Sequence, residues 1–288
     1  MHPDLHPGLH PALQRLTDLL RTAAATEVMP RFHHVQSHCK ADGSLVTEAD
    51  AAVQTYLTAA LARDHPGIPL LGEEMTTAQQ EQLLRAADHS VWVLDPLDGT
   101  GNYAGGFPGF AISLALLEAG QVVQAAVLDP LRDECFCAIR GGGAWCNGVP
   151  IAPFTPGPLL GDCLAMIDFK RLPAARLPTL FRPGGFRSQR NLGASTLEWC
   201  WLAAGRFQLY LHGGQKLWDY AAGHLIAAEA GVSARLYRPY GDAPAPELDL
   251  EPRFAVAAAT PDLFERWLAF IDLPLDAPLA APSTTSVR

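Results

Sequence analysis

The segment that decides the fold is VWVLDPLDGTGNYAGGFPGF, residues 91–110. It begins with apolar residues, as a buried strand does, and then places Asp95 and Asp98 three positions apart around a Pro-Leu pair. At such a turn two carboxylates and the Leu97 carbonyl can converge on one point. They are hard oxygen ligands of the kind that Mg²⁺ or Mn²⁺ takes, so the segment predicts a metal site at a strand end.

Main-chain amide groups follow directly on these acids. Gly99, Thr100 and Gly101 present N–H groups at a turn or helix start, where anions bind. An alternative interpretation is a turn that caps a helix, because Asp, Pro and Gly are also turn formers. Glu73 and Glu74 end another predicted strand, and acids delivered by two strand ends repel each other unless a cation neutralises them. This second acidic strand end favours the metal site over the turn.

The bulk composition excludes several classes of protein. The 288 residues are 49% apolar and 18% charged, which fits a globular chain of one large domain or two closely packed ones. The net charge of −9 and the lack of a long Lys/Arg run predict that no nucleic acid polymer is a partner. No apolar run approaches the ~20 residues that cross a bilayer, and no signal peptide is evident, so we predict a cytoplasmic protein without a membrane partner. Six scattered cysteines without a CxxC motif predict reduced thiols.

Hydrophobic periodicity and turn residues predict the organisation of the chain. We expect a flexible leader over 1–11, where Pro3, Pro7 and Pro11 oppose a regular helix, and a loose tail over 273–288. Between them we predict an α+β half over 12–150 and an α/β half over 151–272, divided in the Gly/Pro-rich segment 141–158. The predicted helices are 13–32, a helix capped by Thr47, 77–88, 174–181, 195–205 and 217–230. The predicted strands are 69–74, 91–95, 110–118, 121–129, 133–139, 162–168, 207–211, 234–237 and 254–259.

Three motifs in order point to a known family. They are GEE (72–74), WVLDPLDGTGNYAGGFP (92–108) and WDYAAGHLIAAEAG (218–231). Further matching segments are SLVTEAD (44–50) before them, and GGGAWCNG (141–148) and NLGAS (191–195) between the second and the third. On these motifs the chain resembles the inositol monophosphatase family over about residues 12–270. The resemblance implies a layered α-β-α-β-α sandwich of α/β class and a Mg²⁺-dependent, lithium-sensitive phosphomonoesterase, and it allows a homodimer.

The resemblance also implies which residues hold the metal ions. Glu73, Asp95 and the Leu97 carbonyl resemble the ligands of a first Mg²⁺, and Asp95, Asp98 and Asp219 those of a second. A third, weaker ion would use Glu73, and Mn²⁺ is a substitute. Asp219 also has an alternative interpretation, as a carboxylate near a helix N-terminus that interacts with the helix dipole.

The catalytic set implied by the resemblance is Glu73, Thr100 and Asp98, in which Glu73 and Thr100 orient and activate the attacking water. The amides of Gly99 and Thr100 would hold the phosphate. Asp50 would support the site from behind, and Lys40 is a further phosphate contact in this interpretation.

The residues expected to contact the leaving group are those in which this chain departs from inositol-specific relatives. The residues predicted to contact the substrate beyond the phosphate are Gly193, Ser195, His212 and Lys216. His212 stands where inositol-specific members resemble one another in carrying a glutamate. Lys216 has the alternative of a solvated surface residue. Arg187 and Arg190 could meet a second phosphate or pair with acids of the fold.

The predicted function is hydrolysis of a small phosphorylated metabolite by metal-activated water, without a phospho-enzyme. Inositol 1-phosphate is the first candidate by family resemblance, and the alternatives are bisphosphate nucleotidase, fructose-1,6-bisphosphatase and histidinol phosphatase activities. A haloacid-dehalogenase-type phosphatase is disfavoured, because its motif requires Asp-x-Asp with a nucleophilic first aspartate. A non-catalytic metal- or phosphate-binding module is the alternative of another class.

Overall fold

The structure is a computed structural model. It describes residues 9–32, 37–39, 45–86, 90–238, 244–245 and 247–273. Most of the predicted leader, Lys40, and the predicted tail from residue 274 onward lie outside the described residues.

The first helical layer is built from α1 (Pro11–Ala23) and α2 (Glu48–Asp64). Helix α1 begins inside the predicted leader, because proline fits the first helical position and His10 Nδ1 accepts the Ala12 N–H at 3.2 Å. After α1 the chain continues as a π-helix (Ala24–Val28) and a 3₁₀ turn (Met29–Arg31). The predicted helix over 13–32 therefore loses regular α geometry before Pro30, which lacks the N–H that an α-helix needs. Helix α2 starts at the predicted cap, Thr47.

A short ribbon and a seven-stranded sheet follow. The ribbon pairs β1 (Ser37–Cys39) with β2 (Leu45–Thr47). The large sheet runs in chain order through β3 (Leu70–Gly72), β4 (Ser90–Asp98), β5 (Ala111–Glu118), β6 (Gln121–Asp129), β7 (Glu134–Ile139), β8 (Gly143–Cys146) and β9 (Val149–Pro150). Strands β3 and β4 are parallel and all other neighbours are antiparallel. Strands β8 and β9 occupy the segment predicted to be a domain boundary. The main-chain pairing of β8 with β7 and of β9 with β8 outweighs a composition that is typical of loops.

Side-chain alternation along β4 shows how this sheet is covered on both faces. Trp92 and Leu94 pack in one buried cluster with α1 and α2, whereas Val91 and Val93 pack in another with α6 (Ser195–Ala203) and α7 (Leu217–Ala230). Both faces are apolar, which explains the unbroken apolar run that leads into Asp95.

The second sheet has the order β11–β10–β12–β14–β13. Strand β10 (Leu164–Asp168) pairs in parallel with β11 (Ser188–Arg190) and β12 (Leu209–Gln215). Strand β14 (Arg253–Ala258) is antiparallel to β12 and to β13 (Ser233–Tyr237). One face contacts α6 and α7, and the other is covered by α5 (Leu177–Leu180) and α8 (Pro261–Phe270).

These contacts define five layers in the order α-β-α-β-α, so the predicted fold class is confirmed. The first sheet ends at Pro150 and the second begins at Leu164, but α6 and α7 pack between them, and the division into two halves at residue 150 stays a prediction. Two further helices connect strands of the first sheet: α3 (Thr77–Ala86) lies between β3 and β4, and α4 (Thr100–Ala104) lies between β4 and β5. In the described part of the chain no helix is both long and apolar enough to span a membrane.

Candidate active site

An irregularity in β4 brings its two aspartates to one face of the sheet. Asp95 lies opposite Ser113 of β5, and Asp98 lies opposite Ala111, so β4 holds one extra residue between these pairs. Residues three apart would lie on opposite faces of a regular strand, and a one-residue bulge moves them to the same face. The burial pattern agrees, because Leu97 joins Leu94 and Trp92 in the cluster on the α1 and α2 side. Pro96, which cannot donate a ladder hydrogen bond, lies within the bulge.

The turn after the bulge is held by short-range hydrogen bonds. The Leu97 N–H donates to Asp95 Oδ1 at 3.1 Å, and the Thr100 hydroxyl donates to the Leu97 carbonyl at 2.9 Å. Gly99 has a φ of +80°, and a Cβ there would lie 2.6 Å from the Gly109 carbonyl oxygen. The segment DPLDGT therefore does form a turn, as the alternative interpretation proposed. The turn is compatible with the clustering of the acids.

Four acidic residues from three separate elements line one cavity of about 460 Å³. Asp95 and Asp98 come from the end of β4, Glu73 follows β3, and Asp219 lies in the first turn of α7. The parallel pairing of β3 with β4 places Glu73 beside Asp95, and the Glu73 N–H donates to the Leu94 carbonyl at 3.1 Å. We call the cavity that these four residues line the acid cavity.

The acids are held in an environment that disfavours their charged forms. Asp95 is buried, and desolvation, followed by repulsion from Glu73, Asp98 and Asp219, raises its pKa well above the usual range. Desolvation raises the pKa of Asp98 to about 6, even though bonds from Thr196 oppose the shift. Desolvation and repulsion from Asp98 and Glu73 raise the pKa of Asp219 to about 8. Such mutual repulsion is relieved when a cation is present.

Neighbouring groups fix the orientation of two of these carboxylates. Asp98 Oδ2 accepts the Thr196 N–H at 2.7 Å and the Thr196 hydroxyl at 2.6 Å. Asp219 Oδ2 accepts the Lys216 N–H at 2.8 Å, which caps α7. Asp219 therefore has both predicted positions at once, because it lies at the N-terminus of a helix and it lines the acid cavity.

Asp50 lies behind the acid cavity, as its predicted supporting role requires. It is fully buried, its Oδ2 accepts the Thr47 N–H and hydroxyl at 2.7 and 2.6 Å, and its Oδ1 is 3.4 Å from the Thr100 hydroxyl. Desolvation is the main cause of its raised pKa. Lys40, predicted beside it, lies outside the described residues.

The predicted substrate contacts divide into two groups. Gly99, Thr100, Gly193, Ser195 and His212 line the acid cavity. Lys216 has an exposed side chain and is absent from the lining, so the structure gives its predicted contact no support and favours the surface interpretation. Arg187 and Arg190 are likewise exposed and outside the lining. Arg187 lies 3.9 Å from Asp162, and Arg190 donates to the Ser188 hydroxyl.

His212 is buried and faces a carboxylate. Its Nε2 lies 3.5 Å from Asp168 Oδ2, and its Nδ1 accepts the Gly214 N–H at 3.3 Å. Burial lowers the pKa of His212 to about 4, although Asp168 opposes the shift. At neutral pH the ring is therefore uncharged and, with Nδ1 as acceptor, carries its proton on Nε2. It is a hydrogen-bond donor where inositol-specific relatives resemble one another in carrying an acceptor.

Several residues of the site were missed by sequence reasoning. Glu198 of α6 is buried in the cavity wall and accepts the Leu192 and Gly193 N–H groups at 3.0 and 3.2 Å, which holds the loop before α6 in place. Desolvation raises its pKa to about 8. Asn102 of α4 fixes the same loop through the Leu192 carbonyl at 2.8 Å. An acid inside the apolar helix EWCWLAAG was the available signal for Glu198.

A second missed group lies on the turn after β10. Asp168, Lys170 and Arg171 line the cavity, together with Asn191 from the loop before α6. No sequence signal marked them, because DFKR is typical of an ordinary polar turn until β10 and β12 pair in parallel beside each other.

The donor set of the acid cavity fits a hard divalent cation. All candidate ligands are oxygen atoms, namely four carboxylates and the Leu97 carbonyl, and a bound cation would offset the repulsion that raises the pKa values of Asp95 and Asp219. Across the described ranges no three His, Cys, Asp or Glu side chains lie close enough together to form a complete metal cluster.

Comparison with known proteins decides the family. The model of the inositol monophosphatase family matches residues 10–270. The chain belongs to the inositol monophosphatase family. It is 33% identical over 257 residues to inositol monophosphatase 1 of Solanum lycopersicum, covering 86% of this chain and 91% of the relative. It is 38% identical over 192 residues to Nus factor SuhB of Pseudomonas aeruginosa, covering 65% and 70%.

A solved structure of an IMPase/NADP phosphatase in complex with NADP and Ca²⁺ has the same fold. It superposes with a TM-score of 0.74 at 25% identity and covers 91% of this chain and 97% of its own. The family resemblance found in the motifs is therefore confirmed over nearly the whole described chain.

Proposed function

We propose that this protein hydrolyses a small phosphate monoester in the acid cavity with the help of divalent cations. One observation carries the proposal. Glu73, Asp95, Asp98 and Asp219, which are separated by up to 146 positions of the chain, line the same cavity as the turn of Gly99 and Thr100. Without cations this cavity would repel a phosphate, so the charge of the lining itself calls for a metal cofactor.

The cations in this proposal are Mg²⁺ ions, two or three in number, with Mn²⁺ as a substitute. Glu73, Asp95, Asp98, Asp219 and the Leu97 carbonyl would hold them. Bound there, they would supply Lewis-acid chemistry and offset the charge of the phosphate. The IMPase/NADP phosphatase structure with Ca²⁺ supports a divalent cation in a protein of the same fold.

The chain's own groups perform the remaining steps. The N–H groups of Gly99 and Thr100, at the start of α4, would bind the phosphate oxygens, since the first amides of a helix have no intrahelical partner. The Thr100 hydroxyl and the Glu73 carboxylate would position a water for in-line attack on phosphorus. No nucleophilic side chain is needed, so the proposal includes no phospho-enzyme.

Inositol 1-phosphate is the first candidate substrate. The tomato relative named inositol monophosphatase 1 supports it. The IMPase/NADP phosphatase structure shows that a protein of this fold also accommodates a much larger phosphate ester. Bisphosphate nucleotidase, fructose-1,6-bisphosphatase and histidinol phosphatase activities therefore stay as alternatives.

A non-catalytic role is the second candidate, and the relative named Nus factor SuhB is the observation that favours it. That name describes a factor rather than a phosphatase, and it gives a reason to test the predicted absence of a nucleic acid partner. The homodimer and the cytoplasmic location also stay predictions.

The test is phosphate release from inositol 1-phosphate, fructose 1,6-bisphosphate, histidinol phosphate and adenosine 3′,5′-bisphosphate, each with Mg²⁺ and with EDTA. The proposal expects release that requires Mg²⁺ and is inhibited by Li⁺. Release that persists in EDTA would contradict the metal-dependent mechanism. Tight binding of a phosphate ester in Mg²⁺ without release would favour the non-catalytic role.

A further inference from the structure

The turn between β10 and α5 brings two positive charges to a cavity that is otherwise acidic. Lys170 and Arg171 both line the acid cavity, next to His212 and Asp168. The charge of Arg171 acts on two groups of the site, because it adds to the lowering of the His212 pKa and opposes the rise of the Asp219 pKa. In a chain with a net charge of −9, paired cations at a substrate cavity need an explanation.

The turn that carries these cations is firmly held. Asp168 Oδ1 accepts the Lys170 N–H at 2.9 Å and the Arg171 N–H at 3.3 Å. Leu172 is buried in the core beneath the second sheet. On the other side the turn rests on the backbone of β12, where a Cβ at Gly213 would lie 2.1 Å from the Arg171 carbonyl oxygen. The position of the turn is therefore fixed by the fold and by the missing side chain of Gly213.

The two cations are not used by the fold itself. Among the described residues neither Lys170 nor Arg171 forms an ion pair within 4.0 Å, whereas Arg187 lies within that distance of Asp162. Asp168, the nearest acid along the chain, directs one oxygen to the amides of its own turn and the other towards His212. The side chains of Lys170 and Arg171 are thus available to a ligand in the cavity.

We propose that Lys170 and Arg171 form a second anion subsite, so that the preferred substrate carries another phosphate group besides the one that is hydrolysed. The inference rests on the proposed function of the acid cavity and narrows its substrate class to sugar or nucleoside bisphosphates. Arg171 provides a planar donor pair that matches a phosphate, and Lys170 adds a flexible charge. His212 is uncharged, and its Nε2 faces Asp168 at 3.5 Å, so the ring adds no negative charge that would repel an anion there.

The proposed subsite predicts that this protein does not prefer a substrate whose leaving group is a neutral polyol. The hydroxyl groups of a polyol can accept hydrogen bonds from Lys170 and Arg171, but charge-assisted bonds from these cations to a phosphate are stronger. On this inference inositol 1-phosphate is a poorer substrate than a bisphosphate of similar size.

The experiment uses two substrates that differ only in the second phosphate, glucose 1-phosphate and glucose 1,6-bisphosphate, with Mg²⁺ in excess. The full-length wild type is expected to show a lower KM for the bisphosphate by about tenfold, which corresponds to about 1.4 kcal/mol. This tenfold difference in KM is larger than the twofold statistical advantage of a substrate that can present either of two phosphates to the acid cavity. Arg171→Gln and Lys170→Gln are expected to reduce the preference, because they should raise KM for glucose 1,6-bisphosphate by a larger factor than KM for glucose 1-phosphate.

Arg190→Gln serves as the matched control, since Arg190 is an exposed cation outside the cavity lining. It removes the same charge and is expected to leave the preference intact. Gly213→Ala provides a test without any change of charge, because it displaces the turn from β12 and should also weaken the preference. Circular dichroism and a melting curve establish that each variant is folded.

Two outcomes would overturn the inference. One is an equal KM for the two glucose phosphates in the wild type. The other is a preference for the bisphosphate in Arg171→Gln that equals the preference in Arg190→Gln, because the effect would then not depend on the position of the charge in the cavity. Both require Mg²⁺-dependent turnover to be observed. Absence of phosphate release from every substrate of the panel contradicts the proposed function instead, so the two failures are distinguishable.

Discussion

Gly99 is the position where backbone conformation, packing and the candidate site meet. It separates Asp98 from Thr100, has a φ of +80°, and a Cβ there would approach the Gly109 carbonyl oxygen to 2.6 Å and the Ala194 Cβ to 3.1 Å. In Gly99→Ala the left-handed conformation costs about 1–2 kcal/mol and the overlap about 1–3 kcal/mol more. We therefore expect the free energy of unfolding to fall by about 2–5 kcal/mol, measured by urea denaturation.

Two other glycines separate the contributions to this loss. Gly120, in the β5–β6 turn, has a φ of +74°, and a Cβ added there would have no other atom within 4 Å. Gly120→Ala therefore tests the conformational cost alone and should lose about 1–2 kcal/mol. Gly101 has neither a positive φ nor a close neighbour, and Gly101→Ala should be neutral or slightly stabilising in the short helix.

Activity gives a second measurement on the same variants. Any shift of the Gly99 backbone moves Asp98 and Thr100 together, so Gly99→Ala should lose phosphate release even where it remains folded. Gly120→Ala lies outside the cavity lining and should keep it. A Gly99→Ala protein as stable as Gly120→Ala and fully active would refute the close packing of the turn and its part in the site.

Three further predictions follow from the described contacts. Thr196→Val removes the 2.6 Å hydroxyl bond to Asp98, so the Mg²⁺ concentration for half-maximal activity should rise about tenfold, given about 1.5–3 kcal/mol for a charge-assisted bond, and Thr196→Ser should restore it. Asp95→Asn replaces a buried acid whose charged form is disfavoured by burial and by the neighbouring acids, so without metal its melting temperature should equal or exceed that of the wild type, and Mg²⁺ should no longer raise it. His224 packs against Trp199, and burial lowers its pKa to about 4, so its contribution to stability is present above pH 6.5 and is lost as the pH falls towards 4. His224→Gln should reduce this acid-induced loss by up to about 3 kcal/mol in urea titrations.

Each of these has an outcome that contradicts it. An unchanged Mg²⁺ requirement in Thr196→Val would separate Asp98 from metal binding. Stabilisation of Asp95→Asn by Mg²⁺ equal to that of the wild type would place the cation elsewhere. Parallel pH profiles for His224→Gln and the wild type, with exposed His38→Gln as control, would show that His224 is not the buried neutral group.

Local patterns were sufficient to predict the elements that are buried on both faces. Strand β6 and helix α7 have the predicted bounds, because their apolar periodicity and their glycine or acidic ends are local properties. Strands β8, β9 and β11 were missed, since they are short and owe their existence to pairing with neighbours. Helix α8 was missed although Thr260 at its N-cap and Pro261 in its first turn are clear start signals.

The same distinction applies to the candidate site. The acids at 73, 95, 98 and 219 could be proposed as metal ligands from the sequence, because they stand in the family motifs and their role does not depend on which substrate is bound. Glu198 and the turn of Lys170 and Arg171 were not found, because their place in the cavity depends on which strands pair in the second sheet. Lys216 was proposed near the leaving group because it lies close to Asp219 in the sequence. Its side chain is exposed at the N-terminus of α7, and its contact with a substrate stays a prediction.

The most direct test of the central claim is the rate of phosphate release by the wild type and by Asp95→Asn with the best substrate of the panel, in Mg²⁺ and in EDTA. Asp95 is the carboxylate that both proposed cations share. We expect Mg²⁺-dependent release by the wild type and a loss of at least about a hundredfold in the variant, with the fold retained by circular dichroism. A folded Asp95→Asn protein that releases phosphate at nearly the wild-type rate would show that the acid cavity is not the catalytic site.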